Sequence, residues 1–126
     1  MASWTPDELR RIGAADELQI APTLADGTLR PPTTIWVVPD GDDVYVRAVN
    51  GTDSSWYRST RTRHQGHVHT DGVDRDVTLT DVPDSDPVNA RIDSAYRTKY
   101  RQHDTAYVDM ILTPAARAAT LKLTPR

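Results

Sequence analysis

Three Asp-Gly pairs, Asp26-Gly27, Asp40-Gly41 and Asp71-Gly72, punctuate the first part of the chain, and runs rich in β-branched and aromatic residues flank the second and third. Asp-Gly supplies the left-handed backbone that a two-residue hairpin loop demands, so each pair predicts a reversal between antiparallel strands. Thr33 to Val38 and Val44 to Val49 form one predicted hairpin, and His67–Thr70 with Val73–Thr80 a second. Upstream, Leu18, Ile20 and Leu24 alternate with polar or small residues, and Pro22 should hold that strand to an edge or a bulge. Ala119, Leu121 and Leu123 alternate in a closing strand. The pattern is a meander of six or so short strands.

Helices interrupt it. Thr5-Pro6-Asp7-Glu8 reads as a capping box with proline at the first helical position, opening a helix at about 5–14 through Leu9 and Ile12. Trp56 and Tyr57 fall in one or two helical turns capped by Asp53 or Ser54. After Asp86-Pro87, the residues Val88, Ile92, Ala95, Tyr96, Lys99 and Tyr100 recur at helical spacing. Thr105–Leu112 fits a helix through Tyr107, Met110 and Ile111 or a strand through Val108, Met110 and Leu112, the helix being favoured. Together these give an α+β domain, a small, mostly antiparallel six-stranded barrel with flanking helices.

Composition narrows the chemistry. A chain of 126 residues suits one domain, here 1–126. The absence of cysteine removes disulfides, thiolate nucleophiles and Cys-ligated metals, and no apolar run is long enough to span a bilayer. A net charge of −3 argues against a nucleic-acid partner. The opening MASWTPDELRR lacks the cationic and apolar stretches of a secretory leader, so a cytoplasmic location is expected.

Hairpin register locates a candidate site. With Asp40-Gly41 as the loop, Val37/Val44, Ile35/Val46 and Thr33/Ala48 form an apolar layer, while Trp36/Tyr45 and Thr34/Arg47 occupy the other face. Two aromatic rings beside a hydroxyl and a guanidinium suit a planar anionic ligand, with Arg47 as its ionic anchor. A helix packed over the rings, with Arg47 in an ion pair, is the competing reading. The second hairpin places His69 opposite Asp74 and His67 opposite Asp76; with no third ligand fixed by spacing, this reads as a wet face and no metal is assigned. Arg58, Arg61 and Arg63 make a local cationic patch, and Lys99 lies between Tyr96 and Tyr100. No serine occupies a nucleophile-elbow context and no Gly-rich phosphate loop is present, so catalytic residues stay unassigned.

The string from Gly27 to Arg58, GTLRPPTTIWVVPDGDDVYVRAVNGTDSSWYR, together with AYRTKY at 95–100 and TLKLTPR at 120–126, resembles the bacterial domain-of-unknown-function family 2255. More distantly, Arg30 before an apolar strand, the Asp-Gly turn, a strand ending in Asn50-Gly51, and then Trp56-Tyr57 resemble deazaflavin-dependent nitroreductases of the split-barrel group, which also holds FMN-binding oxidases and flavin reductases. That resemblance implies a cofactor, FMN or a deazaflavin, lying against the barrel. Arg30 would be a phosphate ligand, Arg47, Ala48, Val49, Asn50 and Gly51 would line the cofactor, and Trp56, Tyr57 and Arg58 would open the helix beside it. The Gly-rich turn that precedes the arginine in the nitroreductases is replaced by LADGTL at 24–29. The implied function is a flavin- or deazaflavin-binding oxidoreductase of unknown substrate. The alternative is a non-catalytic small-ligand-binding or interaction module on the same barrel. The resemblance further implies a homodimer, with Tyr96, Tyr100 and Tyr107 as interface candidates.

Overall fold

The computed structural model describes residues 3–126. A helix α1 (Pro6–Ala14) leads into strands β1 (Leu18–Pro22), β2 (Thr33–Ile35), β3 (Val37–Asp40) and β4 (Asp43–Arg47). A 3₁₀ turn over Gly51–Asp53 and helix α2 (Ser55–Ser59) precede β5 (Gln65–Thr70) and β6 (Val73–Val82). Helices α3 (Val88–Lys99), α4 (Thr105–Met110) and α5 (Pro114–Ala118) lead to the closing strand β7 (Thr120–Pro125).

All strand pairs are antiparallel, in the order β2-β1-β5-β6-β7-β4-β3. The two ends of this sheet, β2 and β3, are consecutive in the chain and separated by Trp36 alone. One bent run from Thr33 to Asp40 therefore joins both edges, and the sheet nearly closes into a barrel. That break at Trp36 is why seven strands stand where six or so were expected. Proline does not make β1 an edge: β1 pairs with β2 over Leu18–Ile20 and with β5 over Gln19–Pro22. Pro22 sits at its last position, beyond the reach of β2, where its missing N–H leaves no ladder bond unmade.

Alternation along the strands builds two cores. Ile20, Val37, Val44, Val46, Val68, Val77, Leu79, Leu121 and Leu123 fill the barrel with Trp56 and Tyr57. Val38, Tyr45 and Val82 face outward and are covered by Val88, Ile92, Tyr96 and Tyr100 of α3 and by Val108 and Ile111. Each such side chain, once buried, contributes on the order of 1.5–3 kcal/mol before conformational entropy is charged against it. Thr5 and Glu8 cap α1 reciprocally as the sequence predicts, and Glu8 also binds Arg75 on β6 at 2.9 Å. The indole N–H of Trp4 donates to the Leu123 carbonyl at 2.9 Å, which ties the segment ahead of α1 to β7 at Trp4.

The second hairpin has the predicted register, with His67 opposite Asp76 and His69 opposite Asp74. The first is displaced: Asp40 pairs with Asp43, Val38 with Tyr45 and Val37 with Val46, so Gly41-Asp42 is the loop. Gly41 takes the positive φ at the first central position, whereas Asp71 and Gly72 both take it in the second hairpin. Moving the loop by one residue changes every partner but no face, so the predicted apolar layer still points into the barrel. Trp36 and Tyr45 are not neighbours, however, because Tyr45 pairs with Val38 beneath α3. Thr105–Met110 is helical as favoured, although Val108 and Ile111 supply its buried side while Tyr107 and Met110 are exposed. Helix α5 was not foreseen; Thr113-Pro114 starts it with the same cap-and-proline device as Thr5-Pro6.

Candidate functional site

Where β2 parts from β3, a pocket of about 420 Å³ opens at the seam of the barrel. It is lined by Thr33–Trp36, by Arg47, Val49 and Asn50 after β4, by Ser54 and Trp56 at α2, by Glu17 just ahead of β1, and by Tyr107 and Met110 of α4. As an end strand, β2 presents an unpaired backbone edge beside the pocket. Among the described residues the amides of Val49 and Asn50 also have no acceptor. The result is an apolar, aromatic-walled cleft with a few neutral donors and hydroxyls, the usual make-up of a small-molecule site.

Trp36 is held flat. Its ring stacks on Tyr100 at 3.9 Å and 5°, with His103 tilted alongside at 5.1 Å. Tyr100 is fixed in turn, its hydroxyl accepting from the Val37 N–H at 3.0 Å and donating to the Asp16 carbonyl at 2.7 Å. Burial pushes the Tyr100 phenol well above its ordinary value, so it stays a neutral donor throughout the physiological range.

Arg47, read from the sequence as an ionic anchor, ends β4 at the pocket wall but is fully buried. Its Nε donates to Thr120 Oγ1 at 3.0 Å, Nη1 to Asp93 at 2.5 Å and to the Ile111 carbonyl at 3.2 Å, and Nη2 to the carbonyl and side chain of Asn89 at 3.4 and 3.0 Å. A guanidinium has five N–H groups, and all five have partners here. Arg117 binds the second oxygen of Asp93. Arg47 therefore ties β4 to α3 and β7, and its charge lies beneath the pocket with no free donor. The tying residues Asn89 and Asp93 had a sequence signal: they share a helical face with Ile92 and Tyr96, where polar groups require a partner.

The other predicted site residues separate. Thr34, Trp36, Asn50 and Trp56 line the pocket with Arg47, whereas Ala48 and Tyr57 point into the barrel core. Gly51 adopts φ +69°, and a Cβ there would lie 3.0 Å from the Ala115 carbonyl, so it seats the turn against α5. Arg58 is exposed on α2 without a partner among the described residues. Arg30 follows the Thr23–Leu29 bridge, its N–H bonded to the Pro22 carbonyl at 2.9 Å, while its Nη1 is enclosed without an acceptor. Arg61 pairs with Asp81 at 2.6 Å and covers the Tyr57 ring at 4.2 Å, and Arg63 donates to the Ala25 carbonyl, so two of that patch's three cations are bonded within the protein. Val49 lines the pocket as the resemblance implies, whereas Glu17, Ser54, Tyr107 and Met110 escaped prediction as pocket residues because tertiary closure alone brings them together. Tyr96 and Tyr100 are fully buried and cannot form an interface; Tyr107, 63% exposed, can.

Residues 8–123 match the family model described as an uncharacterized protein conserved in bacteria, DUF2255. No curated protein matches the chain. Solved structures with the same fold include HutZ, the haem storage protein of Vibrio cholerae, at 11% identity over 96% of this chain and 89% of that one, TM-score 0.68. An F420 reductase aligns at 18% identity over 93% and 91%, TM-score 0.63. An FMN-binding protein from Syntrophomonas wolfei aligns at 15% identity over 91% and 78%, TM-score 0.56. These likenesses make the fold a split barrel, with neighbours that bind flavin-type cofactors or haem. Among the described residues no helix is long and apolar enough to cross a membrane.

Proposed function

The chain belongs to the DUF2255 family of bacterial proteins, and from that premise we propose that it is an oxidoreductase-like protein binding FMN or a deazaflavin in the seam pocket. The observation that carries this reading is the pocket's own lining: two indoles, Trp36 and Trp56, with hydroxyl and amide groups around them, Glu17 as the single carboxylate and no acid–base dyad among them. A flat tricyclic ring is matched by the immobilised face of Trp36, and its polar edge by the unpaired Val49 and Asn50 amides and by Thr34 and Ser54. This reading gives the phosphate to Arg30, which stands outside the pocket's lining and whose Nη1 is enclosed without an acceptor. When bound, such a cofactor supplies the hydride chemistry. The protein's part is to stack the ring, exclude water and meet its charge, with the Arg47–Asp93–Arg117 cluster leaving one net positive charge beneath the pocket. A cytoplasmic protein with no nucleic-acid partner, paired as a homodimer through the exposed Tyr107 and Met110 rim, completes this reading.

Titration of the purified protein with FMN and with the deazaflavin coenzyme, followed by absorbance and fluorescence, tests it. Micromolar binding is expected to one of them, weakened at least tenfold by Arg30→Ala with an unchanged melting temperature, and abolished by Thr34→Trp, which fills the cleft from an exposed strand position. Failure of both cofactors to bind, or full binding by Thr34→Trp, overturns the assignment. Binding with no reduction by any nicotinamide or deazaflavin donor shifts it to the non-catalytic ligand-binding module.

A further inference from the structure

A second cleft, of about 740 Å³, lies away from the seam between Gly13 of α1, Val38–Asp40 of β3 and one face of α3. Lys99 lines it. Its Nζ donates to two main-chain carbonyls, Ile12 at 3.0 Å and Val37 at 2.6 Å, and lies 5.1 Å from the centre of the Tyr100 ring. Two carbonyls satisfy both hydrogens of a neutral amine but only two of the three on an ammonium. Among the described residues no carboxylate forms an ion pair with Lys99; Asp16 acts on it only through space. Around the cleft stand Asp40 paired with Arg91 at 3.0 Å, Arg101, and the hydroxyl residues Ser94 and Thr98. With the amine neutral, these side chains leave one net positive charge.

We propose that Lys99 is a nucleophilic amine that captures a small carbonyl compound bearing an anionic group, the anion being received by the Arg101, Ser94 and Thr98 side of the cleft. The nitrogen lone pair bonds to the carbonyl carbon, and the carbonyl oxygen leaves as water with the two amine hydrogens. The resulting imine takes a proton from solvent, and that N–H keeps one of the two carbonyls bonded. Burial, opposed only weakly by Asp16, lowers the Lys99 ammonium to about 8, so free base is present near neutrality. No residue of the seam pocket takes part, so the inference stands apart from the cofactor reading.

The sequence contains its own control, since Lys99 and Lys122 are the two lysines and Lys122 is partly exposed. The full chain is treated at pH 8 with glyoxylate, or with acetaldehyde as the neutral probe. Cyanoborohydride reduces the imine, and peptide mass mapping follows each lysine. With its ammonium lowered to about 8 by burial, Lys99 is expected to label faster than Lys122. With glyoxylate the Lys99 rate should saturate while that of Lys122 stays linear, and Arg101→Ala should raise the half-saturating concentration severalfold. Equal or faster labelling of Lys122 overturns the nucleophile, and identical linear kinetics with both aldehydes overturn the anion site.

Discussion

Two charged clusters hang from the strands of this barrel, and both are cross-strand or cross-element pairings of a cation with aspartate. At the seam, Arg47 is wholly buried and Asp93 nearly so, its side chain 10% exposed. At the other, His67 on β5 meets Asp76 at 2.8 Å and also bonds Asp74, on a face where those carboxylates are more than 60% exposed. The difference lies in what covers the sheet. Over β4 the chain lays α3, so a charge there must find every partner inside the protein; over β5 and β6 at this point the aspartates stay open to water, which does most of the work. Strand alternation assigns a side chain to a face, whereas the element that covers that face decides whether the side chain holds the fold together or contacts solvent.

Removing the buried partner should give the largest effect. Asp93→Ala leaves the Arg47 guanidinium enclosed without a counter-ion, and a broken buried pair of this kind costs about 3–5 kcal/mol. Chemical denaturation should show that loss, and a change below about 1 kcal/mol would mean that Arg47 reaches water or a ligand in solution. The reverse substitution should be milder. Arg47→Met leaves Asp93 bound to the half-exposed Arg117, and the orphaned acceptors of Asn89, Ile111 and Thr120 account for a loss of roughly 2 kcal/mol. If Arg47→Met were instead neutral for stability while weakening a bound cofactor, the ligand-anchor reading of the sequence would be restored.

The hairpins show how far sequence carries such distinctions. Both Asp-Gly turns were legible, and so was the division of residues between the two faces, because the two-residue period survives a one-residue shift of the loop. The partners in the first hairpin were not legible, since Asp-Gly serves equally well as both central residues, as at Asp71-Gly72, or with glycine at the first central position, as at Gly41. The break at Trp36 lies in an unbroken β-rich run, and only closure of the barrel forces it. For the same reason the pocket was half visible: Thr34, Trp36, Arg47, Asn50 and Trp56 came from register and resemblance, but Glu17, Ser54 and Met110 join them across the seam. That a helix would cover this face and pair Arg47 was one of the two readings, but its partners Asn89 and Asp93 were hidden because they lie 42 and 46 positions away in sequence.

The smallest effect belongs to the exposed cluster, and its pH dependence separates it from the buried one. Hydrogen bonding to Asp76, with Asp74 adding to it, raises the His67 imidazole above its ordinary value near 6.5. The folded state thus binds this proton more tightly than the unfolded chain. The stabilisation is complete below about 6.5 and disappears as pH rises through the raised folded value. Acid closes the window from the other side. Hydrogen bonding to His67 holds the Asp74 carboxyl below its usual range, so the pairing survives until the pH falls past that lowered value. His67→Gln should therefore lower the melting temperature around pH 5–6 by an amount equivalent to less than about 1 kcal/mol, the upper range for exposed pairs. The gap between wild type and variant should vanish at alkaline pH and shrink in 1 M salt, because exposed charges are screened over roughly 3 Å there. Asp93→Ala should keep its full deficit under both conditions, because the pair is sealed inside the protein and salt does not reach it. A His67→Gln deficit that is flat with pH and salt would place the histidine with the buried network and erase the contrast between the two regions.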